Sequence, residues 1–176
     1  YILEERRGYG VALQRGAVEA RGEYLLTMDA DLSHPSQFIQ ELRKRRREAD
    51  ILIASRYVPG GHAEQPLFRL LLSRILNAFF SKGLDMGVKD MSSGFRLYRR
   101  AAFCSLRLEF TNFVILVEIL LKAFAKGMRI EEAPFHYKPR TSGSSKARIL
   151  QFGMDYLRLF HRTWRIRNSV DFPDYD

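Results

Sequence analysis

The run YLLTMDADLSHP at positions 24–35 constrains the fold more than any other stretch of the sequence. Its first half is apolar and rich in strand formers, and it ends abruptly in Asp29 and Asp31, two carboxylates spaced one residue apart. Side chains at i and i+2 of an extended strand point to the same side. Both carboxylates are therefore expected to converge where a buried strand leaves an α/β sheet, the usual place for a ligand crevice. Two hard oxygen ligands at such an edge suit Mg²⁺ or Mn²⁺, which typically bridge to substrate phosphates.

The rest of the chain alternates helical and extended patterns, as an α/β fold does. Apolar periodicity predicts helices over 11–20, 36–48, 66–82, 110–126 and 149–166, and strands over 23–28, 50–55, 95–98 and 129–137. Because the chain begins at Tyr1, in mid-pattern and without Met, we expect a further segment upstream.

Length and composition describe one globular domain of ordinary size. The chain has 176 residues, of which 46% are hydrophobic and 28% charged, so it can bury a core and is not a disordered chain. A single cysteine, Cys104, excludes a disulfide framework and fits a reducing compartment. No apolar run approaches about 18 residues, so we predict no transmembrane helix.

The net charge of +9 limits the partners that the chain can have. It predicts anionic binding partners, such as nucleic acid, anionic lipid or a phosphorylated substrate. The basic run at 43–47 lies at a predicted helix end, where cations complement the helix dipole. Aromatic residues fall on apolar helix faces and are not interleaved with arginine, which argues against nucleic acid.

Several other polar groups interrupt apolar surroundings or follow predicted strands. Arg56 follows the second strand, as the acidic pair follows the first. The helix over 66–82 is apolar with embedded arginines, so it is either buried or lies in a membrane interface. Glu118 lies within an apolar helix and needs a partner. The segment 140–146 is small, flexible and basic, as a phosphate-gripping loop is.

Taken together, six motifs resemble those of family 2 glycosyltransferases, in particular the dolichol-phosphate mannose synthase and polyprenyl-phosphate glycosyltransferase group. They are GYG at 8–10, MDADLSH at 28–34, ASRYVPGG at 54–61, Arg69 with Ser73, DxxSGFR at 90–96, and RxxGxSK at 140–146. Their order and rough spacing agree from residue 8 to residue 146. One departure is Ser33, where several relatives carry Gln near the metal.

The resemblance implies a GT-A fold, which is a Rossmann-like nucleotide-diphospho-sugar domain with a mostly parallel sheet flanked by helices. The first strand of that fold and its nucleotide-base pocket would lie before the first residue of this chain. We accordingly expect an N-terminally truncated glycosyltransferase domain over 1–146, and a C-terminal amphipathic helix and tail over 147–176.

The resemblance also implies roles for individual residues. Asp29 and Asp31 would hold Mg²⁺ or Mn²⁺, with Asp31 also counted as catalytic. Arg56, Arg69 and Ser73 would bind the acceptor phosphate, and Arg140, Ser145 and Lys146 would close over the donor diphosphate from a mobile loop hinged at Gly143. Asp90 would be a catalytic base in relatives that glycosylate hydroxyls. It is also a candidate for a structural role, capping its loop and pairing with Arg96.

The implied activity is a metal-dependent, inverting transfer of a sugar from GDP-mannose or a UDP-sugar to a polyprenyl or dolichyl phosphate. Its partners would be an anionic membrane surface and a membrane-anchoring subunit, with no nucleic acid. The chain would work in the cytoplasm, peripherally at the cytoplasmic face of a membrane. Two other interpretations stay open: a glycosyltransferase acting on a saccharide or other hydroxyl, and a non-catalytic basic module that binds membrane or nucleic acid.

Overall fold

The computed structural model describes residues 6–31, 33–64, 67–83, 85–137 and 153–168. Helices alternate with short strands. The helices are α1 (Tyr9–Glu19), α2 (Gln37–Lys44), α3 (Leu67–Gly83), α4 (Arg100–Cys104), α5 (Ile115–Ala125) and α6 (Gly153–Asn168). The strands are β1 (Tyr24–Thr27), β2 (Ile51–Ser55), β3 (His62–Ala63), β4 (Arg96–Arg99), β5 (Ile130–Pro134) and β6 (His136–Tyr137). None of the helices in these ranges is long and apolar enough to cross a membrane.

The main sheet has the strand order β1-β4-β2-β5. β4 runs antiparallel to both of its neighbours, whereas β2 and β5 pair in parallel. Three of the four strands therefore run in one direction, as a mostly parallel α/β sheet requires, and β4 is the exception. The carboxyl ends of β1, β2 and β5 consequently lie at one edge, and the loop that enters β4 lies at that same edge.

The alternation of side chains along β4 divides the core between the two faces of the sheet. Phe95 and Leu97 point to one face and join a buried cluster that includes Leu42 of α2. Arg96 and Tyr98 point to the other face, where Arg96 Nη1 donates a hydrogen bond to the Leu116 carbonyl of α5 at 2.8 Å. β2 is buried along its whole length because helices cover both faces.

The predicted elements are present with shifted ends, and the structure adds two that the sequence patterns missed. α4 is a single short turn after β4, and β3 pairs with β6 in a separate two-stranded parallel sheet. The predicted strand over 129–137 is split at Phe135 into β5 and β6, one in each sheet. Phe135 itself is buried in the core cluster, so the split turns the chain without exposing an apolar side chain.

The chain divides into two compact units, Tyr1–Ser144 and Ser145–Asp176. The predicted domain boundary at 146 and 147 lies outside the described residues. In the second unit, α6 covers most of the helix that the sequence predicts over 149–166. Within α6, Tyr156 and Leu159 are buried, whereas Met154 and Leu157 are exposed.

Candidate functional site

The acidic pair lies in a loop and not on a strand. β1 ends at Thr27, so Asp29 and Asp31 follow it in irregular backbone and no strand face aligns them, contrary to the expectation from the sequence. Ser33 instead fixes one carboxylate, because both its amide and its hydroxyl donate to Asp31 Oδ1, at 3.1 and 2.5 Å. Ser33 is fully buried, which holds this arrangement against the core.

His34 fixes the other half of the acidic loop. The amide of Asp29 donates to His34 Nδ1 at 2.8 Å. The imidazole is buried, stacks on Phe95 with ring centroids 4.7 Å apart, and meets the edge of Phe135. Burial lowers the pKa of His34, although the nearby Asp29 and Asp31 carboxylates oppose that shift. His34 belongs to one of the six motifs, but the sequence alone assigns it no role.

The GYG motif packs against backbone from the middle of the chain. The Gly10 amide donates to the Thr111 carbonyl at 2.8 Å. A Cβ on Gly10 would lie 2.4 Å from the Phe110 carbonyl oxygen, and one on Gly8 would lie 2.4 Å from that of Thr111. Only glycine permits so close an approach of two backbones, so the motif sets the position of the residue between them.

That residue, Tyr9, reaches the acidic loop. Its ring stacks on Phe113 at 4.5 Å, and its hydroxyl lies 2.9 Å from the point that a Cβ on Gly94 would occupy. The same point is 3.7 Å from Asp29 Oδ1, so a side chain at position 94 would crowd both groups. Burial raises the pKa of Tyr9 above its ordinary value, and Asp29 adds to the shift. The hydroxyl therefore stays protonated and available as a donor.

A buried ion pair forms the second part of the site. Arg56 donates from Nε to Asp90 Oδ2 and from Nη2 to Asp90 Oδ1, both at 2.7 Å, and its amide also donates to Oδ2 at 3.0 Å. Asp90 is fully buried and the Arg56 side chain is 13% exposed. Burial alone would raise the pKa of Asp90, but the Arg56 guanidinium holds the pKa below its ordinary value. Both oxygens of Asp90 are thus engaged in the ionised form.

Asp90 does not pair with Arg96, which corrects one of the roles expected from the sequence. The guanidinium of Arg96 donates to the carbonyls of Leu116 and Met91 at 2.8 and 2.7 Å. The alternation of β4 directs Arg96 to the face covered by α5. Glu132 of β5 holds the loop instead, because its carboxylate accepts the amides of Lys89 and Asp90 at 2.8 and 2.9 Å.

Hydroxyl groups link the ion pair to α3. Arg56 Nη2 donates to Ser92 Oγ at 2.8 Å, and Ser92 Oγ lies 3.3 Å from Ser73 Oγ. The hydroxyl of Tyr57 donates to Ser73 at 2.9 Å. Asn77, one turn further along α3, accepts the Met91 amide at 2.8 Å. The predicted site residues Arg56, Ser73 and Asp90 are therefore brought into one connected cluster.

The segment 90–94 joins the two parts of the site. Its first residues contact Arg56, whereas Gly94 lies against Tyr9 and Asp29 and its carbonyl accepts the Thr27 hydroxyl at 2.7 Å. Arg69 lies one turn before Ser73 in α3, and its side chain is outside what the structure describes. The predicted donor-loop residues Arg140, Ser145 and Lys146, together with Gly143, also lie outside the described residues.

Glu118 has the partners that the sequence requires for a buried carboxylate. It is fully buried, accepts the amides of Glu109 and Phe110 at 2.9 and 3.0 Å, and pairs with Lys122 at 2.8 Å. Glu118 thereby holds the backbone against which the GYG motif packs. The role of Glu118 is structural: by holding the backbone of Glu109 and Phe110, it supports the segment that positions Tyr9.

The donor set at the acidic loop matches one class of metal site. The described part of the chain contains no group of three or more His, Cys, Asp or Glu residues placed to hold an ion. Mg²⁺ and Mn²⁺ are commonly held by one or two carboxylates, with substrate phosphates and water completing the shell. Asp29 and Asp31, fixed by their neighbours at the edge of the sheet, fit an ion that a diphosphate would help to hold.

Residues 1–106 match the family described as Glycosyl transferase family 2. That match spans more than half of the chain and includes the acidic loop, the Arg56–Asp90 pair and β4. The chain belongs to glycosyl transferase family 2. Five of the six motifs lie within the match, and the resemblance to this family is confirmed.

Curated relatives of this family 2 chain include two enzymes whose names contain a phosphorylated polyprenol or dolichol. It is 34% identical over 171 residues to a dolichol-phosphate mannosyltransferase from Pyrococcus furiosus, covering 95% of the chain and 48% of the relative. It is 32% identical over 146 residues to a polyprenol monophosphomannose synthase from Mycolicibacterium smegmatis, covering 80% of the chain and 50% of the relative. The family 2 chain thus spans about half the length of these relatives.

Solved structures confirm the GT-A fold of this family 2 chain. Glucosyl-3-phosphoglycerate synthase from Mycobacterium tuberculosis, in complex with Mn²⁺, UDP-glucose and phosphoglyceric acid, matches with a TM-score of 0.69. The match covers 95% of this chain and 58% of that one at 17% identity. At that identity the likeness establishes the fold alone.

Proposed function

We propose that this chain is the greater part of a glycosyltransferase domain that moves a sugar from a nucleotide-sugar to a polyprenyl or dolichyl phosphate with inversion. The observation that carries the proposal is the Arg56–Asp90 pair. A hydroxyl acceptor needs a base to remove its proton, whereas a phosphate monoester, with a second pKa of about 6, is already ionised. Asp90 is fully buried, engaged through both oxygens and held with a low pKa, so it is poorly suited to be a base. The names of the curated relatives support the same acceptor class.

On the donor side, Asp29 and Asp31 would hold Mg²⁺ or Mn²⁺ against the diphosphate of the nucleotide-sugar. When bound, the ion supplies Lewis-acid neutralisation of the charge that develops on the leaving nucleoside diphosphate. The protonated hydroxyl of Tyr9 lies near Gly94, beside the acidic loop, and would donate a hydrogen bond to a ligand there. We also propose that Arg140, Ser145 and Lys146 contact the donor diphosphate. GDP-mannose and UDP-sugars both remain candidate donors.

On the acceptor side, an anionic lipid phosphate must attack the sugar close to the anionic diphosphate of the donor. An oxygen of the lipid phosphate forms a bond to C1 of the sugar as the bond from C1 to the diphosphate oxygen breaks, and no proton needs to move. Two unit charges 4 Å apart repel by roughly 4 kcal/mol at an effective dielectric near 20. Fixed cations offset this repulsion without reorganising. Arg56, Arg69 and Ser73 are the groups that we propose for the acceptor phosphate.

The geometry of Arg56 supports that assignment. Asp90 and Ser92 engage Nε and Nη2, and in the described part of the chain no protein acceptor contacts Nη1. The guanidinium is also held at 5.1 Å from the ring of Tyr57 and 5.9 Å from that of Tyr137. It is thus fixed in direction, with one nitrogen left for a ligand. Pairing with Asp90 would orient Arg56 while leaving its remaining donors available.

The test compares a phosphorylated acceptor with two hydroxyl acceptors. We expect sugar transfer to a polyprenyl phosphate but none to the corresponding free alcohol or to a free sugar. Arg69→Ala should lower kcat/KM for the lipid phosphate by about 100-fold, because charge-assisted hydrogen bonds contribute roughly 1.5–3 kcal/mol each. Its effect on the KM of the nucleotide-sugar should be small. Lys82→Ala, an exposed change in the last turn of the same helix, is the matched control. Transfer to hydroxyl acceptors alone would contradict the proposal.

We further propose that the enzyme works at a membrane surface, in the cytoplasm, with α3 in contact with lipid. Leu67 and Phe68 are 79% and 71% exposed. Leu71, Ile75 and Phe79 are also exposed. The positions 67, 71, 75 and 79 recur every four residues, so these side chains form one apolar stripe along the helix. The opposite side of α3 carries Ser73 and Asn77 into the site, which would bring the head group of an embedded lipid to Arg56.

Vesicle flotation tests this placement. We expect the protein to float with anionic vesicles at low salt, and less at high salt, because basic side chains near an anionic surface contribute about 1 kcal/mol each. The double change Leu71→Ser with Ile75→Ser should abolish flotation, since it interrupts the stripe. Val18→Ser removes an apolar side chain of similar exposure from α1 and should leave flotation unchanged. Flotation that survives the double change would contradict contact through α3.

A further inference from the structure

We infer that His34 is the positioning residue that sets the direction of Asp29 toward a divalent ion. The inference rests on the proposed function, in which Asp29 and Asp31 hold that ion. Its basis is the bond from the Asp29 amide to His34 Nδ1, 2.8 Å long, formed within the acidic loop. His34 would touch neither ion nor substrate and would act only through Asp29.

A separate orienting group is needed because β1 has already ended. The sheet fixes backbone as far as Thr27, which pairs with Arg96, and gives Asp29 no ladder hydrogen bond. The Asp29 amide is instead satisfied by an imidazole that is itself immobile. His34 is 7% exposed, stacked on Phe95 at 4.7 Å and met by the edges of Phe135 and Tyr137 at 5.9 and 6.4 Å. Because the core holds the imidazole in place, the imidazole in turn restrains the backbone of Asp29, the proposed metal ligand.

The direction of the bond also defines the tautomer. Nδ1 accepts a hydrogen bond from an amide through its lone pair, so Nδ1 carries no proton and the ring proton lies on Nε2. The ring is then neutral and brings no positive charge next to the proposed cation site. Ser33 performs the equivalent task for Asp31, whose Oδ1 it binds through two donors. Ser33 therefore orients Asp31 by binding its carboxylate, and His34 orients Asp29 by binding its backbone amide.

Three substitutions separate positioning from packing. His34→Asn places its Oδ1 where Nδ1 lies, so it keeps the acceptor but leaves part of the ring space empty. His34→Phe fills the ring space and keeps the stack on Phe95 but has no acceptor. His34→Gln moves its acceptor out to the distance of Nε2. A purely structural role ranks the variants by how well they fill the core, whereas a positioning role ranks them by the acceptor at Nδ1.

The first measurement is the affinity of each variant for Mn²⁺ alone, monitored by water-proton relaxation because that method detects weakly bound Mn²⁺. The second measurement is the thermal unfolding of each variant. We expect His34→Phe and His34→Gln to weaken Mn²⁺ binding about tenfold, the lower end of the effect usual for groups that orient a metal ligand. His34→Asn should stay within about threefold of wild type despite a lower Tm than His34→Phe, because its acceptor restores the amide bond. In sugar transfer, the KM for the metal should rise in His34→Phe while the KM for the lipid phosphate does not.

Two failures are distinguishable. If wild type binds Mn²⁺ with an affinity that Asp31→Ala lowers, but His34→Phe binds it equally well, the positioning inference is wrong and the proposed metal site stands. The same holds if metal affinity follows Tm across the three variants. If wild type shows no saturable Mn²⁺ binding that depends on Asp31, either alone or with an added nucleoside diphosphate, the metal part of the proposed function is wrong and the inference about His34 is wrong with it.

Discussion

Replacing Asp31 by Ala is expected to abolish sugar transfer, with a loss of at least about 1,000-fold in kcat. A divalent ion at a leaving diphosphate contributes several kcal/mol of charge stabilisation, and each 1.36 kcal/mol corresponds to roughly tenfold in rate. The carboxylate of Asp31 is one of only two that the acidic loop offers, and Ser33 fixes its direction. The measurement is transfer of labelled sugar to polyprenyl phosphate at saturating Mn²⁺.

Asp31→Asn is the control that separates charge from shape. The amide oxygen of Asn still accepts both donors of Ser33, so the loop keeps its conformation while one negative charge is lost. We expect this variant to unfold at the same temperature as wild type and to be nearly as inactive as Asp31→Ala. Excess chelator should inactivate wild type to the same extent. Full activity in either variant, or in chelator, would overturn the metal assignment.

The second large effect is expected on stability. Asp90→Ala removes one partner of a buried ion pair and leaves Arg56 largely enclosed without its counter-charge, which typically costs about 3–5 kcal/mol. For a chain of this size that corresponds to a fall in Tm of roughly 10 °C. The double variant Arg56→Met with Asp90→Leu should be far less destabilised than the sum of the two single changes, because no charge is left unpaired. A double variant as unstable as that sum would mean that the two side chains do not interact.

Acid dependence gives the same pair an independent test. Arg56 holds the pKa of Asp90 below its unfolded value, which is about 3.9. A carboxyl whose folded-state pKa is depressed contributes stability that is fully present above the unfolded pKa and is lost as pH falls through the folded pKa. Wild type should therefore lose stability below about pH 4, and Asp90→Asn should lose less over that window. Parallel curves of unfolding free energy against pH would contradict the assigned ion pair.

The sequence predicted the elements that strong periodicity defines, and it predicted the need for a partner at Glu118. The apolar runs at β1 and β2 are long enough to identify strands, and α5 is identified by its continuous apolar pattern. Glu118 could be singled out because a carboxylate in such a run must be satisfied. Its partners could be predicted only in part, since Lys122 is one turn away but the amides of Glu109 and Phe110 belong to a preceding loop.

Contacts between distant segments account for what the sequence did not reveal. Asp90 and Arg96 are close along the chain, which favoured pairing them, but strand alternation sends Arg96 to the α5 face. Arg56, 34 residues from Asp90, arrives from the end of β2. The end of β1 at Thr27 was equally hidden, because Met28 continues the apolar pattern although the ladder has stopped. The motifs therefore identified which residues are carboxylates, but the position and partners of each carboxylate depend on contacts between distant segments.

The position of β4 between β1 and β2 has a consequence for synthesis. The two early strands do not pair with each other, and every pairing of the main sheet requires β4 or β5, which begin at Arg96 and Ile130. Among the strands that the structure describes, therefore, neither β1 nor β2 has its partner in a nascent chain that has reached residue 95. At about 5–20 residues per second, synthesis leaves β2 without these two pairings for several seconds, and apolar strands exposed during folding are the segments that make chains prone to aggregate.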